Sequence, residues 1–289
     1  MKYALFLGCT VPVRGMNYEI AARKVAERIG LHLVDIDEFT CCGFPVKAVD
    51  VETSFLMAAR NLALAENRGL DICTLCSACT STLTEVNKVL KEDEELREII
   101  NEKLGNVRYN GNIEVKHFAR ILYEDLGITE LKKFIVEPLE GFRFAPHYGC
   151  HYLKPSEIYE EFDNPEAPVS LDELIMVTGA ESVDYTTLKN CCGGGILGID
   201  ENVALKMSAK KLMELKDKDI DGLISICPFC SIMYEGNQKR IEKMENAEIG
   251  IPVFYYPQIL GLALGIPADE LGFKLNRVKP KAFLEKLGA

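Results

Sequence analysis

The sequence predicts an α/β fold of two similar Rossmann-like domains with parallel sheets, related by an internal duplication and facing a shared cleft. Short apolar runs alternate with segments whose apolar residues recur every three or four positions, which is typical of parallel strands joined by helices. The order of these segments, and of the cysteines between them, recurs in the second half of the chain. We therefore predict a first domain over 1–138, a second over 139–267 and a C-terminal extension over 268–289.

In the first copy, residues 1–138, each predicted strand precedes a predicted helix. The strands, which are short and apolar, are 3–8, 31–36, 70–75 and 113–116. The helices, whose apolar residues follow a helical period, are 17–29, 51–67, 81–104 and 117–126. The charged segment 85–105 has no counterpart of equal length in the second half, so we interpret it as an inserted piece of helix.

The second copy, residues 139–267, repeats this alternation. Its predicted strands are 143–148, 181–185, 222–227 and 251–254, and its predicted helices are 155–162, 200–217, 231–245 and 257–264. The segment 113–128 aligns with 251–266 at a constant offset of 138 residues. Ligands of open α/β sheets bind at the carboxyl ends of the strands, and four cysteines lie at such ends: Cys9, Cys76, Cys150 and Cys227.

The composition excludes several classes of protein. The 289 residues include 33 Lys and Arg against 44 Asp and Glu, a net charge of −11, which argues against nucleic acid or an anionic membrane surface as the main partner. The apolar runs are too short for a membrane span or a signal-peptide core, so we expect a cytoplasmic protein. Thiols stay reduced there, and eleven cysteines, an odd number, then indicate metal or redox chemistry rather than a disulfide framework.

Ten of the cysteines form two matching sets. Each set has one cysteine after a strand, an adjacent Cys-Cys pair followed by glycine, and a C-x-x-C that begins after 33 further residues in the first copy and 34 in the second. Adjacent side chains of extended backbone diverge, so a Cys-Cys pair suits different atoms of a cluster better than one ion. Five cysteines also exceed the four that zinc or a cubane iron–sulfur cluster takes. We expect the glycines after the pairs, Gly43 in the first copy and Gly193 to Gly195 in the second, to let the backbone approach such a cluster.

This duplicated pattern resembles the CCG cysteine-rich domain family, in the stand-alone two-copy form of the B subunit of heterodisulfide reductase from methanogens, over roughly residues 1–270. The resemblance implies two noncubane 4Fe-4S clusters, each held by five cysteines. The first cluster would use Cys9, Cys41, Cys42, Cys76 and Cys79, and the second would use Cys150, Cys191, Cys192, Cys227 and Cys230. Cys73 has no counterpart in the second copy, so we interpret it as a buried free thiol. A zinc ion in the N-terminal copy stays an alternative.

The resemblance also implies an activity and partners. The chain would be the catalytic subunit of heterodisulfide reductase, an oxidoreductase that reduces CoM-S-S-CoB to CoM-SH and CoB-SH in methanogenesis. The chain has no complete ferredoxin-type cysteine run, so electrons would come from a ferredoxin-like C subunit and a flavin- and iron–sulfur-containing A subunit, with room for a hydrogenase or formate dehydrogenase in the complex. Two alternatives stay open. One is a CCG-domain subunit of another redox complex, acting on fumarate or succinate, on glycolate or lactate, or in sulfur oxidation; the other is a zinc-bound structural subunit.

The substrates of this activity carry sulfonate, phosphate and carboxylate groups, so an acidic chain needs local cations to bind them. The basic side chains nearest to the cysteine motifs are Arg14, Lys47 and Lys154. Two histidines flank Cys150 and could donate protons to product thiolates: His147 and His151. We interpret the other two histidines, which lie far from the motifs in the sequence, as structural: His32 and His117.

Overall fold

Two parallel four-stranded sheets organise residues 1–288, which are the residues that this computed structural model describes. The strands are β1 Lys2–Phe6, β2 His32–Asp35, β3 Asp71–Thr74, β4 Val115–His117, β5 Arg143–His147, β6 Glu181–Ser182, β7 Gly222–Ser225 and β8 Val253–Tyr255. The first sheet has the order β2-β1-β3-β4 and the second the order β6-β5-β7-β8, with every pair parallel. The predicted fold class and its internal duplication are therefore confirmed.

The helices alternate with these strands. They are α1 Val11–Arg14, α2 Met16–Arg28, α3 Val51–Glu66, α4 Ser77–Glu92, α5 Glu94–Leu104, α6 Phe118–Arg120, α7 Ile128–Lys132, α8 Cys150–Leu153, α9 Ser170–Val177, α10 Glu201–Lys216, α11 Pro228–Ser231, α12 Gln238–Glu245, α13 Tyr256–Ala263 and α14 Lys281–Leu287. Two π-helical segments are Ile121–Gly127 and Ile232–Gly236, and 3₁₀ turns are Ser156–Tyr159, Gly194–Ile196, Ala268–Glu270 and Phe273–Leu275. None of the helices within residues 1–288 combines the length and apolarity needed to cross a bilayer.

Four predicted helices differ from the structure. The helix predicted over 117–126 is mostly the π-helical segment Ile121–Gly127, which follows the short α6. The helix predicted over 81–104 divides at Asp93, whose carboxylate accepts a hydrogen bond from the Leu96 backbone N–H and caps α5. The helix predicted over 231–245 contains the π-helical segment before α12. The helix predicted over 155–162 is only a 3₁₀ turn, and the helix that joins β5 to β6 is α9 instead.

The start of α9 explains this last error. The carboxylate of Asp163, which is buried, accepts hydrogen bonds from the backbone N–H groups of Val169 and Ser170 at 3.1 and 3.0 Å. These bonds satisfy amides that a helix start leaves without partners. The capping residue lies seven positions before the first helical residue, so no local capping pattern in the sequence reveals it.

The last helical segment of each copy packs against the other copy. In the second copy α13 lies against α2 of the first, where the rings of Tyr18 and Tyr255 stack with centroids 4.2 Å apart. In the first copy the segment that ends in α7 lies against α9, where the Tyr123 hydroxyl donates to the Glu173 carboxylate at 3.0 Å. One hydrophobic core therefore contains residues of both copies and holds the two sheets together.

This packing brings the carboxyl ends of the two sheets together. The Tyr18 hydroxyl donates to the carbonyl of Ile226 at 3.2 Å, and Nε2 of His117 lies 2.9 Å from the same carbonyl. Ile226 immediately precedes Cys227. His117 therefore keeps the structural role that we predicted, but it is not remote from the cysteines, because the fold brings it to the second motif.

The C-terminal segment packs on the second copy. The ring of Phe283 in α14 lies 5.3 Å from that of Phe142, 5.9 Å from that of Phe144 and 4.7 Å from that of Phe254. These aromatic contacts cover one face of the second sheet. The domain limits 1–138, 139–267 and 268–289 stay predictions.

The glycine of each Cys-Cys-Gly motif lies against the backbone of the helix that follows it. Gly43 has φ +92°, and a Cβ there would lie 2.5 Å from the carbonyl oxygen of Ser54 in α3. Gly193 has φ +81°, and a Cβ there would lie 2.8 Å from the carbonyl oxygen of Ala204 in α10. Only glycine fits both the left-handed conformation and the close approach. The nearest neighbours of a Cβ added at Gly43 or Gly193 are thus helix backbone, a constraint that the sequence did not reveal.

Replacing Gly193 with alanine should destabilise the protein. A left-handed backbone lowers the free energy of unfolding by about 1–2 kcal/mol when the residue has a side chain, and overpacking against α10 lowers it by about 1–3 kcal/mol more. Anaerobic urea unfolding should therefore show a loss of at least about 2 kcal/mol for Gly193→Ala. Gly198→Ala is the matched control, since no heavy atom lies within 4 Å of its added Cβ. Equal stability of the two variants would contradict this explanation of the motif.

Candidate metal centre

Each copy presents its five cysteines with the same gradation of burial. Two cysteines are exposed, Cys9 and Cys150. The first cysteine of each Cys-Cys pair is half-buried: Cys41 and Cys191. The remaining six are buried: Cys42, Cys76, Cys79, Cys192, Cys227 and Cys230. Each set therefore runs from the surface into the interior between the two sheets.

In the first set the five thiols are neighbours in a fixed order, and each one shifts the pKa of the thiol beside it. The order is Cys9, Cys41, Cys42, Cys79 and Cys76. The sulfurs of Cys9 and Cys41 are 3.8 Å apart. Hydrogen bonds from Cys41 and then from Cys79 lower the pKa of Cys42 to about 4. Residues that are far apart in the sequence thus place their sulfurs side by side, with one of them stabilised as a thiolate.

The second set has the same order of neighbours. It is Cys150, Cys191, Cys192, Cys230 and Cys227. Hydrogen bonds from Cys150 and then from Cys192 lower the pKa of Cys191 to about 2. The backbone N–H groups of Gly193 and Gly194 donate to the sulfurs of Cys191 and Cys192 at 3.4 and 3.3 Å.

The two sets meet at their inner ends. Cys76 and Cys227 are only 2% and 5% exposed, and the neighbouring thiol of Cys227 is the main cause that raises the pKa of Cys76. The ten thiols therefore form one continuous series from Cys9 at one surface to Cys150 at another. Both members of the central pair lie at the N-cap of a helix, α4 and α11.

A second pair of glycines clears space beside these sulfurs. A Cβ at Gly8, where φ is +65°, would lie 2.9 Å from Sγ of Cys79. A Cβ at Gly149, where φ is +75°, would lie 3.6 Å from Sγ of Cys230. In the second set a Cβ at Gly194 would lie closer still, 3.4 Å from Sγ of Cys192. The glycine before the first cysteine thus lies beside sulfur in both sets. The sequence contained this signal, as Gly-Cys at both places, but we did not assign it a role.

A cavity of about 100 Å³ lies beside the second set. All five cysteines of that set line it, together with Phe44, Ser77 and Ala78 of the first copy. Clustered thiols, backbone N–H donors to sulfur and glycine clearances are the features that hold an iron–sulfur cluster, so the residues present fit such a group. Within residues 1–288, no group of three or more Cys, His, Asp or Glu side chains is arranged to hold a single metal ion.

Cys73 lies apart from this series. It is in β3, fully buried in the apolar core that contains residues of both copies. Burial alone raises the pKa of its thiol. The location agrees with the interpretation of Cys73 as a free thiol with a packing role.

The structure separates the three predicted cations. Arg14 lines a cavity of about 230 Å³ together with Glu235, Arg240 and Arg277, and among residues 1–288 it forms no salt bridge. Arg240 and Arg277 were not predicted, since only the fold brings them to Arg14. Burial raises the pKa of the Glu235 carboxyl to about 7.

The two predicted lysines are already paired. The Lys47 ammonium lies 2.6 Å from the Glu85 carboxylate, and the Lys154 ammonium lies 3.0 Å from the Glu166 carboxylate. Both pairs are at the surface, where an ion pair contributes little and can exchange its partner. A substrate anion would have to displace the carboxylate in each case.

The histidines that flank Cys150 differ from each other. His147 is 1% exposed, and neither ring nitrogen has a hydrogen-bond partner within the described chain. Burial is the main cause that lowers its pKa well below the usual value. His151 is half-buried beside the cavity, its ring edge-on to Phe44 with centroids 5.0 Å apart, and burial also lowers its pKa.

The chain matches the model of the CCG Cysteine-rich domain twice, over residues 3–84 and 144–235. It is 38% identical to the B subunit of the ferredoxin/F(420)H(2)-dependent CoB-CoM heterodisulfide reductase of Methanosarcina acetivorans, over 99% of this chain and 97% of that protein. It is 31% identical to the membrane anchor subunit of the 8-methylmenaquinol:fumarate reductase of Wolinella succinogenes, over 95% of this chain and 96% of that protein.

Its fold is similar to the crystal structure of a hypothetical protein from Helicobacter pylori, with a TM-score of 0.78. The match covers 96% of this chain and 52% of that one, so the chain spans about half the length of the solved protein. At 18% sequence identity this likeness concerns the fold alone. The two domain matches and the near full-length relatives show that the chain belongs to the CCG cysteine-rich domain family, with two copies of the domain.

Proposed function

We propose that this chain is the B subunit of a heterodisulfide reductase and reduces CoM-S-S-CoB to CoM-SH and CoB-SH. The observation that carries the proposal is the single series of ten thiols, five from each copy, that meet at Cys76 and Cys227. Two relatives named as heterodisulfide reductase B subunits, at 38% and 36% identity over 99% of the chain, support the choice of substrate.

We assign a noncubane 4Fe-4S cluster to each set of five thiols. The ligands are Cys9, Cys41, Cys42, Cys76 and Cys79 for the first cluster, and Cys150, Cys191, Cys192, Cys227 and Cys230 for the second. The identical order of neighbours and the identical gradation of burial favour the same group in both copies over zinc in the first. A tetrahedral zinc site would also leave one thiol of the first set without a role.

When bound, two such clusters supply the two electrons that opening a disulfide requires. The chain holds the two sets of ligands at a fixed separation through the buried contact of Cys76 with Cys227. The apolar side chains of Phe44 and Phe229 line the cavity beside the second set. We propose that His147 and His151, which flank Cys150, donate protons or hydrogen bonds to sulfur there.

The cavity at Arg14 is the strongest candidate for binding an acidic group of the substrate. Three guanidinium groups line it, Arg14, Arg240 and Arg277, of which Arg240 is paired with the Glu201 carboxylate at 2.5 Å. Guanidinium groups bind sulfonate, phosphate and carboxylate through paired hydrogen bonds. The Glu235 carboxyl opposes an anion less than a fully ionised carboxylate would, because its pKa is raised to about 7. Lys47 and Lys154 remain secondary candidates, since each must break its ion pair with a carboxylate before it can bind a substrate anion.

The electron donor lies outside this chain. Ten cysteines belong to the two sets and the eleventh is buried in the core, so no further thiol is available for a relay cluster in residues 1–288. We propose a ferredoxin-like C subunit and a flavin- and iron–sulfur-containing A subunit as its partners, with a hydrogenase or formate dehydrogenase as a further component, in the cytoplasm. The relative from Wolinella favours a second candidate function, as part of a fumarate reductase.

The metal content tests the ligand assignment. The anaerobically purified chain should be brown and contain about eight irons, four for each cluster. Cys42→Ser and Cys192→Ser should each lower the iron content and the visible absorbance, because each removes a buried ligand. Cys73→Ser is the matched control and should leave both unchanged. About two zincs per chain with no visible absorbance would contradict the assignment and favour a structural role.

Steady-state kinetics test the substrate and its binding site. With a strong artificial electron donor the iron-loaded chain should reduce heterodisulfide but not fumarate, and a nicotinamide cofactor alone should not support the reaction. Arg14→Gln should raise the KM for heterodisulfide roughly 10- to 100-fold with little change in kcat, since a hydrogen bond to a charged group contributes about 1.5–3 kcal/mol. Arg68→Gln, which removes an exposed arginine paired with Glu38, should change neither constant. An unchanged KM in Arg14→Gln would remove this cavity from the binding site.

A further inference from the structure

The two copies use different side chains to bind the loop that carries the Cys-Cys pair. In the first copy Asn61 of α3, which is fully buried, donates from its amide to the carbonyl of Cys41 at 3.1 Å and accepts from the N–H of Thr40 at 3.0 Å. The equivalent position in α10 of the second copy is Lys211, which is also fully buried. Gly43 and Gly193 are 150 residues apart, and so are the helix residues that they approach, Ser54 and Ala204. Asn61 and Lys211 are separated by the same 150 residues, so the two positions are equivalent.

The ammonium of Lys211 is enclosed by neutral acceptors. It donates to the carbonyl of Leu188 at 2.8 Å, to the hydroxyl of Tyr185 at 3.0 Å and to the carbonyl of Thr187, and it lies 4.6 Å from the centroid of the Tyr185 ring. No salt bridge involves it in the described part of the chain. Glu214 is the nearby carboxylate, and it accepts instead from the backbone N–H groups of Thr186 and Thr187.

Two further positions distinguish the surroundings of the second set. His147 replaces Phe6 of the first copy, and Tyr234 replaces Leu83. The rings of His147 and Tyr234 pack edge to face with centroids 4.8 Å apart, and neither side chain has a hydrogen-bond partner among the described residues. The second set therefore lies near a buried cation and two buried polar rings, where the first has an amide and two hydrocarbon side chains.

Burial makes the charge of Lys211 effective at a distance. Desolvation lowers its pKa to about 7, while the nearby thiol of Cys230 acts in the opposite direction. An anionic group held by the second set would stabilise the ammonium further, and the ammonium would equally stabilise that group when it gains negative charge. Solvent and salt screen a buried charge much less than one at the surface.

We propose that Lys211 raises the reduction potential of the cluster at the second cysteine set above that of the first, so that the second cluster is reduced first. This inference rests on the proposed function, in which each set holds an iron–sulfur cluster. The potentials of such clusters depend on net charge and on nearby hydrogen bonds and exposure. The step is a one-electron reduction, in which an external low-potential reductant is oxidised, the second cluster gains one electron, and no bond forms or breaks. Lys211 is a positioning residue in this reaction, since it acts through the cluster.

An anaerobic redox titration of the iron-loaded full chain, followed by electron paramagnetic resonance, tests the inference. The unmodified protein should show two reduction steps. Lys211→Asn installs the residue of the first copy. It should lower the reduction potential of the higher step alone, by at least 59 mV, which for one electron corresponds to a tenfold change in the reduction equilibrium. Lys210→Asn is the matched control, because Lys210 is exposed in the same helix, and its potentials should not change. A higher step that does not move in an iron-loaded Lys211→Asn protein would overturn the inference.

Cysteine variants give a test that does not depend on the folding of the lysine variant. Cys192→Ser should abolish the higher step and Cys42→Ser the lower one. The opposite assignment, or one common potential for both clusters, would overturn the inference even if Lys211→Asn lost its iron. Absence of iron from the unmodified protein would instead overturn the proposed function. The two failures are therefore distinguishable in the same set of samples.

Discussion

The reciprocal packing of the terminal helices is the interaction on which the rest of the structure depends. Helix α13 of the second copy lies against α2, and the segment that ends in α7 of the first copy lies against α9. Each copy thus completes the apolar covering of the other, and rotation of either would expose buried aromatic and aliphatic surface. This constraint brings Cys76 and Cys227 together at the carboxyl ends of the two sheets, so that the two sets, each ordered by the fold of its own copy, meet there.

The duplication preserves the geometry of the cysteines while their surroundings have diverged. The order of thiol neighbours, the gradation of burial and the two glycine positions are the same in both copies. The buried side chains behind the thiols are not, since Asn61 and Phe6 correspond to Lys211 and His147. A reaction that needs two electrons from one-electron carriers benefits from similar sites in different surroundings. The similar sites can hold similar clusters, while the different surroundings give the clusters different reduction potentials.

Much of the fold was predictable because its signals are local and occur twice. All eight strands lie within or beside their predicted ranges, and the four strand-end cysteines lie at the predicted edge. The helix at 170–177 was missed because its start depends on Asp163, which is not a local capping residue. Within the site, the meeting of Cys76 with Cys227, the cavity of three arginines and the proximity of His117 to Cys227 depend on packing between the copies. A comparison within one copy cannot reveal them.

The glycines of the Cys-Cys-Gly motifs meet a steric constraint that the sequence did not reveal. The sequence indicated that glycine is required after each Cys-Cys pair, and the structure shows that the backbone of α3 or α10 imposes the requirement. Gly8 and Gly149 lie beside sulfur, and so does Gly194, which follows the second Cys-Cys pair. Local pattern thus identified the residue, while the identity of its neighbour required the three-dimensional arrangement.

Anomalous diffraction at the iron edge, from anaerobically grown crystals of the chain, would test the two-cluster arrangement most directly. We expect two separate groups of iron atoms, one on each side of the contact between Cys76 and Cys227, each bounded by five cysteine sulfurs and neither touching Cys73. A single group of irons, a zinc ion in place of either group, or a ligand set that includes Cys73 would contradict the arrangement proposed for this protein.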